Sequence, residues 1–192
     1  MIEHIHLRDI NPRNTVEISQ AAALLLICFA ENWPLAWPDH QAALEEVRCS
    51  LGDRHVSRGA FNLQGQLLGW IAGESTYHGH VWELHPLAVH PNNQSQGIGR
   101  ALVADFEEQV RQRGGLIILL GTDDENGMTS LFGFDLFPNV CEHIGKIRNL
   151  RRHPYEFYQK LGFHIVGVIP DANGLGKPDI LMAKRVQLVV HS

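Results

Sequence analysis

Residues 87–100, reading Leu-Ala-Val-His-Pro-Asn-Asn-Gln-Ser-Gln-Gly-Ile-Gly-Arg, carry an apolar strand end into a glycine-punctuated turn and then into a helix. Gly97 and Gly99 let the backbone approach a ligand closely. The first turn of the helix that follows offers N–H groups with no intrahelical partner, at the positive end of the helix dipole. The backbone from Gln96 through Ile98 to Arg100 is therefore shaped to cradle an anion such as a phosphorylated ligand. The same spacing also serves a plain strand-to-helix turn. Just upstream, alternation along residues 80–89 puts Val81, Glu83, His85, Leu87 and Val89 on one face. Glu83 and His85 are the proton acceptors on that face, Glu83 through a water if burial raises its pKa, His85 by its ordinary range. Downstream, Tyr158 stands at helical spacing from Tyr155 and Leu161, which suits a core tyrosine as well as a proton donor. Asp123 and Asp124 follow an apolar strand, where ligands are commonly met and where carboxylates also cap loops.

Two stretches carry a family likeness. Val89-x-Pro91-x-x-Gln94-x-Gln96-Gly97-x-Gly99-Arg100 resembles the acetyl-coenzyme A signature of the GNAT superfamily of N-acetyltransferases, whose core is Gln/Arg-x-x-Gly-x-Gly/Ala. Tyr155-Glu156-Phe157-Tyr158-Gln159-Lys160-Leu161-Gly162-Phe163 resembles the second signature of that superfamily, and the two come in the right order. The resemblance implies acetyl-coenzyme A as co-substrate. It sets the pantetheine arm against backbone groups of Leu87 and Val89, the pyrophosphate on the N–H groups from about Gln96 to Arg100, and Gln94 in the same binding segment, with the Arg100 side chain adding charge if it points outward. It makes Tyr158 the general acid that protonates the coenzyme A sulfur as the tetrahedral intermediate collapses. Related enzymes commonly place an asparagine seven residues before this tyrosine; here that position is Arg151, and Asn149 is out of register, so the role is not carried over. The implied reaction is direct attack of an amine, with no covalent acetyl-enzyme and no metal. Residues 82–87, and 121–125 with 153–155, are further similar to bacterial proteins described as aminoglycoside 6'-N-acetyltransferase-like. Acetylation of a small metabolite or protein amine, and a non-catalytic acyl-coenzyme A sensor, stand as alternatives.

The bulk properties frame these motifs. A chain of 192 residues is long enough for one domain with a full core, and no linker or repeat divides it, so 1–192 reads as a single domain. A net charge of −5 argues against sequence-independent nucleic-acid binding and suits a cationic small-molecule amine. The apolar run at residues 24–29 is too short to span a bilayer and reads as part of a buried first helix capped near Asn14 or Thr15. Cys28, Cys49 and Cys141 are odd in number and scattered, which points away from a disulfide framework or a cysteine-based zinc site and toward a reducing cytoplasm.

The elements that must hold the motifs follow from periodicity. Residues 5–7 read as a short strand, and 15–29 and about 39–51 as helices. Strands at 59–63 and 67–73 flank a hairpin turn around Gly65, and the strand at 80–89 is interrupted by Pro86, where a bulge or a local edge is expected. The helix after Gly99 turns Leu102, Phe106 and Val110 inward and stops at Gly114-Gly115. Residues 116–120 read as a continuously apolar strand buried on both faces of a parallel pair. Pro154 opens a last helix that ends before Gly162, and strands at 163–169 and 179–186 close the chain. The fold class is α/β, with a central mixed, twisted sheet flanked by helices, as the GNAT resemblance implies. Residues 122–153 form an unusually long and apolar insertion, read either as a lid over the acceptor or as a homodimer surface. Asp123, Asp124 and Asp135 are the carboxylates expected to meet a cationic acceptor, and the GNAT resemblance implies that Trp33, from the segment between the first two helices, borders the same site.

Overall fold

The computed structural model describes residues 5–186. They fall into two compact units, one running through Leu116 and including Val186, the other spanning Ile117–Arg185. The first unit holds β1 (His6–Asp9), α1 (Thr15–Phe29), α2 (His40–Cys49), β2 (His55–Phe61), β3 (Leu67–Thr76), β4 (Val81–Val89) and α3 (Ile98–Gln112). Its strands pair antiparallel in the order β1-β2-β3-β4. The Asn14 side chain caps α1 by accepting from the N–H groups of Val16 and Glu17. Glu17 in turn gathers Arg8, the Asn11 N–H and the Asn14 amide. Burial alone would raise the Glu17 carboxyl; those donors outweigh it and hold its pKa below the ordinary value. The apolar run of α1 packs Leu24 and Leu25 into a core with Phe61, Trp70 and Ala88. Among the described residues no helix is long and apolar enough to cross a membrane.

The strand expected at 59–63 begins earlier, because His55–Arg58 continue the ladder against Ile71–Glu74. It ends at Phe61 because the Asn62 side chain accepts from the N–H groups of Gln64 and Gln66 and turns the chain. β4 alternates as the sequence implies: Trp82, Leu84, Pro86 and Ala88 are buried, while Glu83 and His85 are exposed. The expected irregularity at Pro86 is a bulge. Gly73 pairs Leu84 and Ile71 pairs Leu87, so Ala72 alone faces both His85 and Pro86. α3 lies close on β3, where a Cβ at Gly69 would stand 2.9 Å from Leu102 Cδ1 and one at Gly73 would run into the Phe106 ring.

The second unit holds β5 (Ile117–Asp123), α4 (Val140–Gly145), α5 (Tyr155–Gln159), β6 (His164–Ile169) and β7 (Asp179–Arg185), its strands ordered β5-β7-β6 and antiparallel throughout. The run at 116–120, expected to be buried on both faces, is corrected here. β5 buries Ile118, Leu120 and Thr122, leaves the residues between them half-covered or exposed, and pairs antiparallel with β7. A string of Ile and Leu reads the same whether one face is covered or two, so composition alone overstated the burial. Residues 122–153 are ordered by their own contacts: Leu131 and Leu136 are buried, Thr129 bridges Asn149, and the Leu150 and Arg151 N–H groups donate to the Met128 carbonyl.

Candidate functional site

In the first unit, the turn into α3 has the form its glycines suggest. Gly97 is the N-cap in the left-handed region (φ 89°), and the first intrahelical bond runs from the Ala101 N–H to the Gly97 carbonyl at 3.0 Å. The N–H groups of Ile98, Gly99 and Arg100 precede that bond and lie at the positive end of a helix 15 residues long. The side chains of the two glutamines are held within the loop. The Gln94 side chain donates to the Val89 carbonyl and that of Gln96 to the Asn92 carbonyl, each at 3.1 Å, so their amides brace the loop. The Arg100 side chain is exposed.

The His90 N–H donates to Leu68 O at 2.9 Å. In an antiparallel pair the hydrogen-bonding edge alternates residue by residue. The N–H and C=O of Val89, and of Leu87 two positions back, therefore point away from β3. The Val89 carbonyl also accepts the Cys28 thiol of α1 at 3.2 Å. Burial pushes that thiol up to about 11, which keeps it protonated and donating.

Glu83 and His85 open into a cavity of about 210 Å³ lined also by Glu46 and Cys49 of α2, Ser50, His55 and Glu74. The Glu46 carboxylate lies 4.0 Å from His85 Nε2. The Trp37 ring lies 5.8 Å from the imidazole at an interplanar angle of 34° and rests edge-on against Phe29 at 4.9 Å. Trp33 packs on the same Phe29 at 5.7 Å. Of the two tryptophans, Trp37 is thus the one in contact with a candidate proton acceptor. Sequence reasoning missed Glu46, Glu74 and His55 as members of this group. A carboxylate on an amphipathic helix looks like any solvated one until the helix is docked.

In the second unit, Tyr158 lies on α5 with its ring against Phe157 (5.1 Å) and Phe163 (5.5 Å), and is 8% exposed. Burial raises its pKa well above the ordinary tyrosine value, so the phenol holds its proton across the physiological range. That suits a donor and excludes a resting phenolate. Asp123 is half-buried, and its carboxylate accepts from the Asn173 amide at 2.5 Å. Asp135 is exposed, and its carboxylate accepts from the Phe137 N–H at 3.0 Å. Asp124 is placed differently from a substrate contact. It is fully buried, and its two oxygens accept from the Met128 N–H (2.8 Å) and the Thr129 N–H (2.7 Å), which is the loop-capping alternative. Nearby, His153 is buried, with Nε2 3.1 Å from the Asp123 carbonyl and Nδ1 accepting from the Tyr155 N–H. The sequence marked this histidine, one of 12, by its place in the 153–155 stretch of the family likeness, and gave it no role of its own.

A model of the Acetyltransferase (GNAT) family matches residues 19–133. Among solved structures, the chain is similar to an aminoglycoside 6'-N-acetyltransferase complexed with coenzyme A, at 38% identity and a TM-score of 0.86 over 95% of this chain and 97% of that one. It is similar at 38% identity and a TM-score of 0.84 to the aminoglycoside 6'-N-acetyltransferase from Enterococcus faecium, with 95% and 97% of the two chains covered. An aminoglycoside 6'-acetyltransferase type Ii follows at 33% identity, a TM-score of 0.71 and the same 95% and 97% coverage. No curated protein sequence matches the chain.

Proposed function

This chain belongs to the GNAT family, N-acetyltransferases that use acetyl-coenzyme A, and from that premise we propose that it acetylates the 6'-amine of a polycationic aminosugar by direct attack. The observation that carries this reading is 38% identity with two aminoglycoside 6'-N-acetyltransferases over 95% of the chain. The acidic cavity beside Glu83 and His85 supports it, because an ammonium-rich acceptor gains from several carboxylates at once. The family match crosses from one compact unit into the other, which supports one acetyltransferase domain.

The N–H groups of Ile98, Gly99 and Arg100 hold the donor's pyrophosphate, and the outward edge of Leu87 and Val89 takes its pantetheine amides. Glu83 or His85 receives a proton from the acceptor ammonium. The neutral nitrogen attacks the thioester carbonyl, and the Tyr158 phenol protonates the sulfur as the C–S bond breaks. Asp123, Asp135 and Trp33 serve the acceptor side; Asp124 keeps its loop. The free cysteines Cys28, Cys49 and Cys141 suit a cytoplasmic enzyme, and its activity would lower a host's susceptibility to aminoglycosides. The test is coenzyme A release over aminoglycosides with and without a free 6'-amine, polyamines, metabolite amines and peptide amino termini. Turnover confined to free 6'-amines is expected. Peptide turnover well above every aminosugar would overturn the substrate and keep the chemistry; tight acetyl-coenzyme A binding with no turnover would favour a sensor.

A further inference from the structure

His85 sits in the bulge of β4 and is 59% exposed at its side chain, yet it is held from two directions. Trp37 covers one face of the ring, and Glu46, on α2, faces Nε2 at 4.0 Å. The other charged and titratable groups around the same cavity are Glu74 on β3, Glu83 on β4, His55 on β2 and Cys49 on α2. Glu83 stands directly across from Glu74 in the ladder, but the Glu74 carboxylate is paired with the Arg54 guanidinium at 3.0 Å and faces His55 Nε2 at 3.9 Å, so Glu83 is the carboxylate here that can meet an ammonium.

A neutral imidazole carries its hydrogen on one nitrogen and its lone pair on the other, and a neighbouring carboxylate decides which. A carboxylate facing Nε2 selects the Nε2–H form and leaves the lone pair on Nδ1. This is the general arrangement in which a third group orients a base. A spacing of 4.0 Å is longer than a hydrogen bond, and such contacts are often long before substrate binds and tighten in the complex.

Building on the acetyl-transfer reading above, we infer that Glu46 is a positioning residue for His85: it fixes the Nε2–H form, so that Nδ1 is the atom that takes the acceptor's proton, while Glu83 attracts the ammonium. One ammonium proton passes to Nδ1 and on to solvent. The nitrogen lone pair forms the C–N bond, and the C–S bond breaks with its electron pair leaving on sulfur. The sulfur takes a proton from Tyr158, and the nitrogen's remaining surplus proton restores the phenol through solvent, so the reaction releases a single proton overall.

The experiment combines kinetics with a reading of the ring itself. Long-range ¹⁵N–¹H correlation spectra of histidine-labelled protein in mildly alkaline buffer, with the His85 signals identified by their loss in His85→Asn, should show His85 as the Nε2–H form. Glu46→Ala should convert it to a mixture, and Glu46→Gln, which keeps an acceptor oxygen, should restore most of the original form. Glu46 is partly exposed on a helix, so alanine there favours the fold. With the 6'-amine substrate, Glu46→Ala should lower kcat roughly tenfold to a hundredfold with the acetyl-coenzyme A KM unchanged, in line with the usual cost of losing an orienting partner. Glu46→Gln should recover part of the rate, and in a His85→Asn background Glu46→Ala should cost less than about twofold. An Nδ1–H ring in the unaltered protein, a spectrum indifferent to Glu46→Ala, or an equal rate loss in both backgrounds overturns the inference. The spectra need no turnover, so a failure to acetylate any amine would sink the proposed function without deciding the ring.

Discussion

The turn into α3 and the segment between β5 and α5 are both irregular backbone, and they treat their polar groups in opposite ways. At the turn, the N–H groups of Ile98, Gly99 and Arg100 are left without intrahelical acceptors, while side chains such as Gln94 and Gln96 only brace the loop. In the long segment, side chains go inward to satisfy the backbone: Asp124 takes the Met128 and Thr129 N–H groups, Asn149 brackets His153, and His153 takes the Tyr155 N–H. Unsatisfied donors at a helix start invite a ligand, whereas satisfied donors in a loop hold a shape. The backbone of the first region should accordingly matter to binding, and the polar side chains of the second to stability.

The largest effect expected on this contrast is at Asp124. Replacing it with alanine strands one buried and one part-buried N–H group and should cost on the order of 3–5 kcal/mol, read as a fall in the urea midpoint. A loss under about 1 kcal/mol would mean the loop does not depend on that carboxylate. Tyr158→Phe, which deletes only a hydroxyl, should lower kcat on the order of a hundredfold with acetyl-coenzyme A affinity unchanged. An undiminished rate, where chemistry limits turnover, would return this ring to the core. Gly97→Val forces a branched side chain into the left-handed region (φ 89°) at the head of α3. Calorimetric titration should show acetyl-coenzyme A binding weakened on the order of a hundredfold or more, about 2.7 kcal/mol, a larger change than the roughly 1–2 kcal/mol of backbone strain seen in denaturation. Equal affinity in the folded variant would remove the cradle.

A smaller effect is expected from acid. Burial pushes the His153 pKa below its ordinary value of 6.5, against the Asp123 carbonyl and the nearby Asp124 and Asp123 charges. The unfolded chain therefore binds this proton first, so stability is complete above about 6.5 and falls as the pH drops below it. Glu17 acts in a lower window: its depressed carboxyl contributes stability above its ordinary 4.5 that is lost on further acidification. Denaturation midpoints across pH should show the higher step vanish in His153→Gln while the lower step stays; a higher step that survives would assign it elsewhere.

Much of the backbone site was legible because it is written in local chemistry. Gly97 before a helix, the Asn14 cap of α1 and the alternation that exposes Glu83 and His85 each follow from neighbouring residues. The bulge at Pro86 follows from a missing donor. What stayed hidden depends on residues far apart in the chain. The start of β2 is set by its pairing to β3, and the half-burial of β5 by what covers it. Asp124 offered a ligand contact and a loop cap with identical residue type, and only its burial separates them. The proximity of Glu46 to His85 spans 39 positions, from 46 to 85, and no spacing rule reaches that far.

The bulge in β4 divides one strand into two halves whose registers against β3 are set separately. Glu83 and His85 come up to the bulge, where the cavity opens, and Leu87 and Val89 come after it, where the outward edge leads into α3. Because Ala72 absorbs the slip by facing both His85 and Pro86, exchanges ahead of Pro86 leave the ladder behind it in step. On the reading proposed above, substitutions in the first half should change which amine is accepted, while the second half keeps its hold on the acetyl donor.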